Sequence, residues 1–460
     1  MDGMIENSVA ARDVRYLVHG SVDLARQRRN PPTMINGGKG VFVFDENGTP
    51  YLEAAAGMWC TALGFSEEEL IEAAVEQMRK LPYYHTLAYK SVTPAAELAE
   101  KLAALVPIEN AHLYFALSGS EANDAFIKFA WYVNNALGRP QKKKIIARRN
   151  GYHGATVGSA SLSGLSANHK LFDLPIANIL HVGDPHYYRN GLPGESEAEF
   201  VDRLVGEVEA LILAEGPDTV AAFVAEPVTG AGGVVIPPAG YYAKLQAVLD
   251  RYDVMFHADE VINGFLRTGK MWGSEAMGIR PTTMSMAKAI TSAYMPLSAL
   301  ALPGWFYDAM EKGSTEVGVF GHAATYAGHP VSCAVALKML EIVERRNLKA
   351  HVESVSARFK ERIQAFKDHP LVGDVRVIGL MGAIEFVTDK ASKTSFEPAG
   401  SFARRLRDHA EEHHKLIVRS VPAGDSCAFS PPLVITLEEV DEMFDRFARA
   451  LDEVAAEIGA

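Results

Sequence analysis

Val254-Met255-Phe256-His257-Ala258-Asp259-Glu260-Val261 is an apolar run that ends on a pair of carboxylates. Further along, Thr283-Met284-Ser285-Met286-Ala287-Lys288 repeats the arrangement with a lysine at its end. Each run has strand length and is bounded by polar residues. Working outward, residues 112–117, 144–147 and 220–225 form similar short apolar runs, and helical patterns separate them. Strands that alternate with helices predict a mostly parallel sheet with helices on both faces. In such sheets, ligand groups gather at the carboxyl ends of the strands. Asp259 and Lys288 fall at two of those ends.

The flanks read differently. Val41-Phe42-Val43-Phe44-Asp45-Glu46-Asn47-Gly48 predicts a strand entering a hairpin, because Asn-Gly tolerates positive φ at both positions. Tyr51-Leu52 begins the returning strand. Toward the other end, the pattern predicts a helix over 331–342, a strand pair over 376–387, and short strands at 416–418 and 433–435. Thr436, with Glu439 three residues on, opens a final helix through a capping box. The expected architecture is a large α/β domain over residues 60–325. A smaller α+β domain is built from residues 1–59 and 326–460.

A chain of 460 residues, 48% hydrophobic and 22% charged, can bury a large core without disulfides or structural metal. Its net charge of −12 argues against a nucleic-acid binder, which carries a basic surface. The three cysteines, Cys60, Cys333 and Cys427, are far apart and form no CxxC pair, which fits a reducing compartment. Met1-Asp2-Gly3-Met4-Ile5-Glu6 is acidic and lacks the apolar stretch of a signal peptide. No apolar run approaches the ~18 residues of a membrane span. The expectation is a cytoplasmic globular enzyme with small-molecule partners, without membrane or nucleic acid.

Five stretches carry candidate chemistry. Lys288 ends an apolar run, and desolvation there frees an amine to attack a carbonyl; a lysine reaching out from a strand end is the plainer explanation. Asp259 needs a compensating charge or several hydrogen bonds if buried, or it is an ordinary strand-end cap. Ser118-Gly119-Ser120 lies between a strand and a helical pattern over 124–137. That order makes an anion site of the helix N-terminus, or simply a capped helix. Gly151-Tyr152-His153-Gly154 can lay an aromatic ring flat on a ligand, or is a turn with a surface tyrosine. Leu416-Ile417-Val418-Arg419 ends in a guanidinium suited to a carboxylate, or to a surface ion pair. His413-His414 reads as solvated, and Arg26-Gln27-Arg28-Arg29 as short and isolated. No HExxH, Cys/His set or GxSxG is present, so neither a metal centre nor a serine hydrolase is expected.

Together these stretches resemble the class III aminotransferases, the omega-transaminase group of fold-type-I pyridoxal-phosphate (PLP) enzymes. Glu226-Pro227, Asp259-Glu260-Val261 and Ala287-Lys288 carry the resemblance through their order and spacing. Gly264-Phe265-Leu266-Arg267-Thr268-Gly269 is similar to the family's GFGRTG loop. The resemblance implies that Lys288 holds PLP as a Schiff base and shuttles the proton of transamination, and that Asp259 pairs with the pyridine nitrogen. It further implies that Val261 and Tyr152 flank the ring and that Gly119 and Ser120 hold the phosphate. Glu226 and His153 complete the cofactor set. Thr325 reaches the phosphate of a partner subunit, so a homodimer with shared active sites is implied.

Gly57-Met58-Trp59-Cys60 and Arg419 resemble the amine:pyruvate and omega-amino-acid:pyruvate branch. There the arginine binds the carboxylate of pyruvate and swings aside for uncharged groups. By the same resemblance, Trp59, Leu87 and Ala231 shape the amine pocket, and the apolar Leu87 and small Ala231 favour a bulky hydrophobic amine. Asn263, Leu266, Ala293 and Ala428 depart from the family pattern and bear on substrate scope. The implied reaction is a two-stage transfer from a primary amine or omega-amino acid to pyruvate. An aminomutase or a PLP-dependent decarboxylase on the same scaffold is the near alternative, and a non-catalytic binding module the distant one.

Overall fold

A computed structural model describes residues 8–421 and 424–459; the acidic Met1–Glu6 segment lies outside them. The central sheet has seven strands: β1 (His112–Ala116), β2 (Lys144–Arg148), β3 (Ile179–Val182), β4 (Val220–Ala225), β5 (Met255–Asp259), β6 (Thr283–Met286) and β7 (Ser298–Leu302). Their spatial order is β1-β7-β6-β5-β4-β2-β3. The run from β3 to β6 is parallel, and β7 is antiparallel to both β6 and β1. All six residues of β4 are buried. Phe223 joins the core on one face of the sheet, whereas Ala222 and Val224 join that on the other. Helices therefore cover both faces, as continuous apolar strands require.

Helix α1 (Gly119–Ala136) follows β1 directly. Ser118 caps it by accepting from the Glu121 N–H at 3.2 Å, and Glu121 Oε2 accepts from the Leu117 N–H at 2.7 Å. Such a cap contributes about 1 kcal/mol. Ala122, Phe126, Phe129 and Val133 recur at helical spacing and are buried against the sheet. The helix starts at Gly119, five residues ahead of the sequence expectation, because the cap and the turn glycine belong to it.

The flanking segments meet across the length of the chain. Ile35–Lys39, Phe42–Asp45 and Pro50–Glu53 form an antiparallel ribbon, and Leu416–Ile417 adds to it in parallel. A second small sheet contains Val372–Ile378, Met381–Phe386, Ser426–Phe429 and Arg419–Val421. The hairpin at Asn47-Gly48, the helix Pro330–Arg345 and the capping box of Thr436 and Glu439 follow the sequence reading.

Some expectations fail. Residues 433–435 form a turn rather than a strand, although Leu433 and Ile435 are buried; their apolar character reflects packing, not pairing. Strands β3 and β7 escape the sequence pattern. β7 reads Ser-Ala-Leu-Ala-Leu, a composition with no β-branched residue to mark it. His414 is not solvated but bonds Glu453. Arg26 sits on a short helix, Leu24–Arg29, and pairs with Asp408 at 2.6 Å. Among the described residues, no helix is long and apolar enough to cross a membrane.

Candidate active site

Asp259 ends β5 and is buried. Its Oδ2 accepts from Asn123 Nδ2 at 2.8 Å and lies 2.7 Å from His153 Nδ1. Its Oδ1 accepts the Val261 N–H at 3.1 Å. Burial pushes this carboxyl up, but the hydrogen bond and charge of His153 and the amide of Asn123 outweigh it and hold it below its ordinary range. An ionised carboxylate is thus fixed at a strand end. Oδ1 has a single backbone donor and keeps acceptor capacity for one more group.

Asn123 is held in turn. Its Nδ2 also donates to the His153 carbonyl at 2.7 Å, and its Oδ1 lies 3.2 Å from His257 Nε2. His257 bonds Thr283 through Nδ1 at 2.8 Å and stacks on Phe126 with ring centroids 3.9 Å apart. Burial lowers the His257 pKa to about 3, so the ring is neutral.

Lys288 follows β6 with φ +51, in the left-handed region. Burial lowers its pKa, against the opposing pull of Cys60, Asp259 and Glu226. A free amine is therefore available below the usual lysine range. Lys288 and Asp259 face a common cavity of about 350 Å³ together with Ser118, Gly119, Ser120, Tyr152, His153, Glu226 and Val261. Glu226 Oε1 accepts the Tyr152 N–H at 3.0 Å and Oε2 the Gly230 N–H at 2.8 Å, which ties the tyrosine loop to the end of β4. Gly119 lies so close to Val261 that a Cβ on it would meet Val261 Cγ2 at 2.9 Å. Glycine is what lets the N-terminus of α1 close on this wall.

These features suit PLP. The N-terminus of α1 with its Ser-Gly-Ser turn can hold the phosphate. Asp259 can accept from a protonated ring nitrogen, and the amine of Lys288 can bond the aldehyde carbon. Of the other residues expected at the site, Trp59, Leu87, Ala231, Thr325 and Arg419 do not line this cavity. Trp59 is buried beside it in the cluster that also holds Val228 and Ile262. It sits on a strained turn in which Ala56, Gly57 and Trp59 all have positive φ. Arg419 contacts Met58 Sδ, and its charge is felt by Tyr152 and Cys60, both of which line the cavity. Ala231 is buried. Leu87 and Thr325 lie on two segments that pack on each other: Tyr83 OH donates to the Thr325 carbonyl at 2.8 Å, and Thr86 Oγ1 to that of Ala327 at 3.2 Å.

Residues that sequence reasoning left out are Asn123 and His257, behind Asp259, and Thr291, which lines the cavity; Cys60 and Ala293, read from the sequence only as part of a motif and as a departure from it, line the cavity too. Asn123 left a signal, as a polar residue on the buried face of α1. His257 left a weaker one, a histidine inside an apolar strand.

The departures from the family pattern have structural consequences. Leu266 and Ala293 both lie at positive φ, +74 and +64, which a Cβ disfavours by about 1–2 kcal/mol. Ala293 is exposed, so its removal opens no cavity. Ala293→Gly is expected to stabilise the protein by about 1 kcal/mol, after allowance for the greater freedom of glycine in the unfolded chain. A rise in the midpoint of thermal unfolding checks this. Asn263 accepts from the Val228 N–H at 3.1 Å and donates to its carbonyl at 2.9 Å. Ala428 is buried within its strand and pairs with Ala383.

Comparison with known proteins agrees with this geometry. The family described as aminotransferase class-III matches residues 24–451. A probable gamma-aminobutyrate transaminase 2, mitochondrial, of Oryza sativa subsp. indica is 48% identical over 421 residues, spanning 91% of this chain and 84% of that protein. The omega transaminase from Pseudomonas jessenii in complex with PMP superimposes with a TM-score of 0.96 at 46% identity, covering 98% of this chain and 99% of that one. A thermostable omega transaminase variant engineered for asymmetric synthesis of enantiopure bulky amines, with a tryptophan, a phenylalanine and an arginine replaced, gives the same TM-score and identity over 98% and 100%. A match that runs through nearly the whole chain, with relatives close to half identical, leads to one assignment: this chain belongs to the class-III aminotransferases, which transfer amino groups with the aid of PLP.

Proposed function

We propose that this aminotransferase moves an amino group from a primary amine or omega-amino acid to pyruvate, in two half-reactions at one site. The observation that carries the proposal is the pairing of a desolvated amine, Lys288, with a carboxylate held ionised, Asp259, on one cavity beneath a helix N-terminus. When bound, PLP supplies an electron sink for the charge left on the substrate carbon as its proton departs. Lys288 takes that proton and returns it at the far end of the shift, acting as general base and then acid. Asp259 accepts from the ring nitrogen and keeps it protonated. Ser118, Gly119 and Ser120 offer donors to the phosphate, and Val261 and Tyr152 pack on the two ring faces. His153 and Glu226 act behind them, the first on Asp259 and the second on the tyrosine loop.

Arg419 is the proposed carboxylate site for pyruvate, and Trp59, Leu87 and Ala231 the walls of the amine pocket. The replacement of a tryptophan and an arginine in the engineered relative supports looking for substrate scope at these residue types. The gamma-aminobutyrate transaminases among the relatives favour omega-amino acids as donors. The same reading makes the protein a homodimer in which Thr325 serves the partner's phosphate, supported by the exposure of Tyr326 and Tyr89 on the two facing segments. It includes the division into residues 60–325 and the paired chain ends, supported by the sheet that joins Pro50–Glu53 to Leu416–Ile417. Three free cysteines favour the cytoplasm.

The test is alanine production from pyruvate with gamma-aminobutyrate and with a bulky arylalkylamine as donors. Stoichiometric alanine is expected, and its absence across a broad donor panel overturns the acceptor assignment. Arg419→Leu is expected to raise KM for pyruvate by about tenfold or more, because a forked charge-assisted contact is lost. An unchanged KM removes Arg419 from the site.

A further inference from the structure

Away from the cavity, the helix Ser401–His414 packs against the C-terminal helix Leu437–Glu457. His409 and His414 both project from the first helix toward Glu453 on the second. Their Nε2 atoms lie 2.7 and 2.8 Å from the same oxygen, Glu453 Oε2. The two imidazoles are mostly shielded, with side-chain exposures of 14% and 12%, while the carboxylate is half exposed at 50%. All three ligating atoms lie within 4.8 Å of one another. A third ring, His413, stands with its centroid 4.4 Å from that of His409.

An ordinary ion pair needs one imidazole per carboxylate. Here two rings present the same nitrogen to one oxygen, and no other hydrogen bond engages either ring among the described residues. Two imidazole nitrogens and a carboxylate oxygen that converge are the donor set of a borderline divalent ion such as zinc, nickel or copper. A tetrahedral ion with ~2.0–2.1 Å bonds holds its ligands about 3.3 Å apart, so the Nε2–Oε2 contacts of 2.7 and 2.8 Å need open only slightly to admit one. The neighbouring charges leave the site free. Arg405 is occupied by Glu457 and Arg446 by Glu442, while Lys415 donates to the Glu412 carbonyl. His414 is the last residue of its helix, where the helix dipole favours a cation.

We propose that His409, His414 and Glu453 form a binding site for a zinc-class divalent cation that clasps these two helices. His413 or water completes the coordination. The site lies outside the catalytic machinery, so its occupancy acts on stability rather than on turnover. A cation bound only to the folded protein raises the unfolding midpoint as its concentration exceeds the dissociation constant.

The experiment titrates zinc chloride into the metal-stripped, PLP-loaded protein by calorimetry and follows the unfolding midpoint in parallel. One ion per chain with a dissociation constant on the order of micromolar is expected, accompanied by a rise in the midpoint. His414→Ala and Glu453→Gln should each weaken binding by about tenfold or more, since lost support at metal sites has effects of this size. They should also abolish the zinc-dependent rise while leaving cofactor absorbance and activity unchanged. Should the His409→Ala, His414→Ala double variant bind zinc as the parent does, the ion belongs elsewhere and the proposal fails. It fails equally if the parent shows no saturable binding.

Discussion

Lys288→Ala should lower turnover by at least about 10⁴-fold with every donor while leaving the fold intact. The side chain is asked to do two things, and alanine can do neither. In the proposed reaction it would anchor the cofactor covalently and carry the proton of the shift, a general acid–base contribution of about 10²–10⁴ by itself. Groups that act as a unit lose nearly the whole effect when one is removed. The position is suited to this work because burial lowers the amine's pKa. Loss of turnover alone does not identify the anchor, so the informative measurement is borohydride reduction. Reduction is expected to fix the cofactor to the parent chain at Lys288 and to leave the variant unlabelled. Persistent covalent labelling of Lys288→Ala protein would move the anchor to another amine. Lys288 is only partly exposed, and alanine meets the same backbone φ of +51 with no greater strain than lysine, so circular dichroism should match the parent.

Asp259→Asn is expected to cost about 10³-fold in turnover, with cofactor binding weakened but not lost. The carboxylate is ionised because His153 and Asn123 hold it so despite burial. An asparagine of the same shape cannot keep a ring nitrogen protonated. Breaking a buried charge pair of this kind costs about 3–5 kcal/mol, and each 1.36 kcal/mol is tenfold in rate. The change appears in the pH profile as well. A carboxyl with a depressed folded pKa contributes stability that is present above its unfolded value, near about 3.9, and is lost as pH falls through the lower folded value. The acid limb of stability from Asp259 therefore lies below about pH 4, and the variant should lack it. Equal turnover in parent and variant would remove Asp259 from the reaction.

Substantial parts of this fold are legible in the sequence. The alternation of short apolar runs with helical patterns follows from side-chain periodicity, which is local. So does the capping box of Thr436 and Glu439. Asp259 and Lys288 stood out because a charge closing an apolar run is costly unless something answers it. β7 and β3 were missed for the opposite reason. Ser-Ala-Leu-Ala-Leu of β7 carries no strand preference of its own and pairs because β1 and β6 leave a place between them, whereas the four residues of β3, Ile-Leu-His-Val, are too short a run to stand out.

What the chain by itself determined is the order of strands and loops and the placing of a lysine, a carboxylate and a Ser-Gly-Ser turn at strand ends. Tertiary structure alone decided how these act together. Asn123 and His153 meet Asp259 across 136 and 106 residues of sequence, and His257 fixes Asn123 from the next strand position but one. Cys60 and Arg419 approach the same cavity from opposite ends of the chain. Ionisation at Asp259 depends on these distant donors, because burial by itself would drive the carboxyl the other way. A charge state in a protein interior is set by the sum of its neighbours, and neighbours so remote in sequence exist only once the sheet has formed.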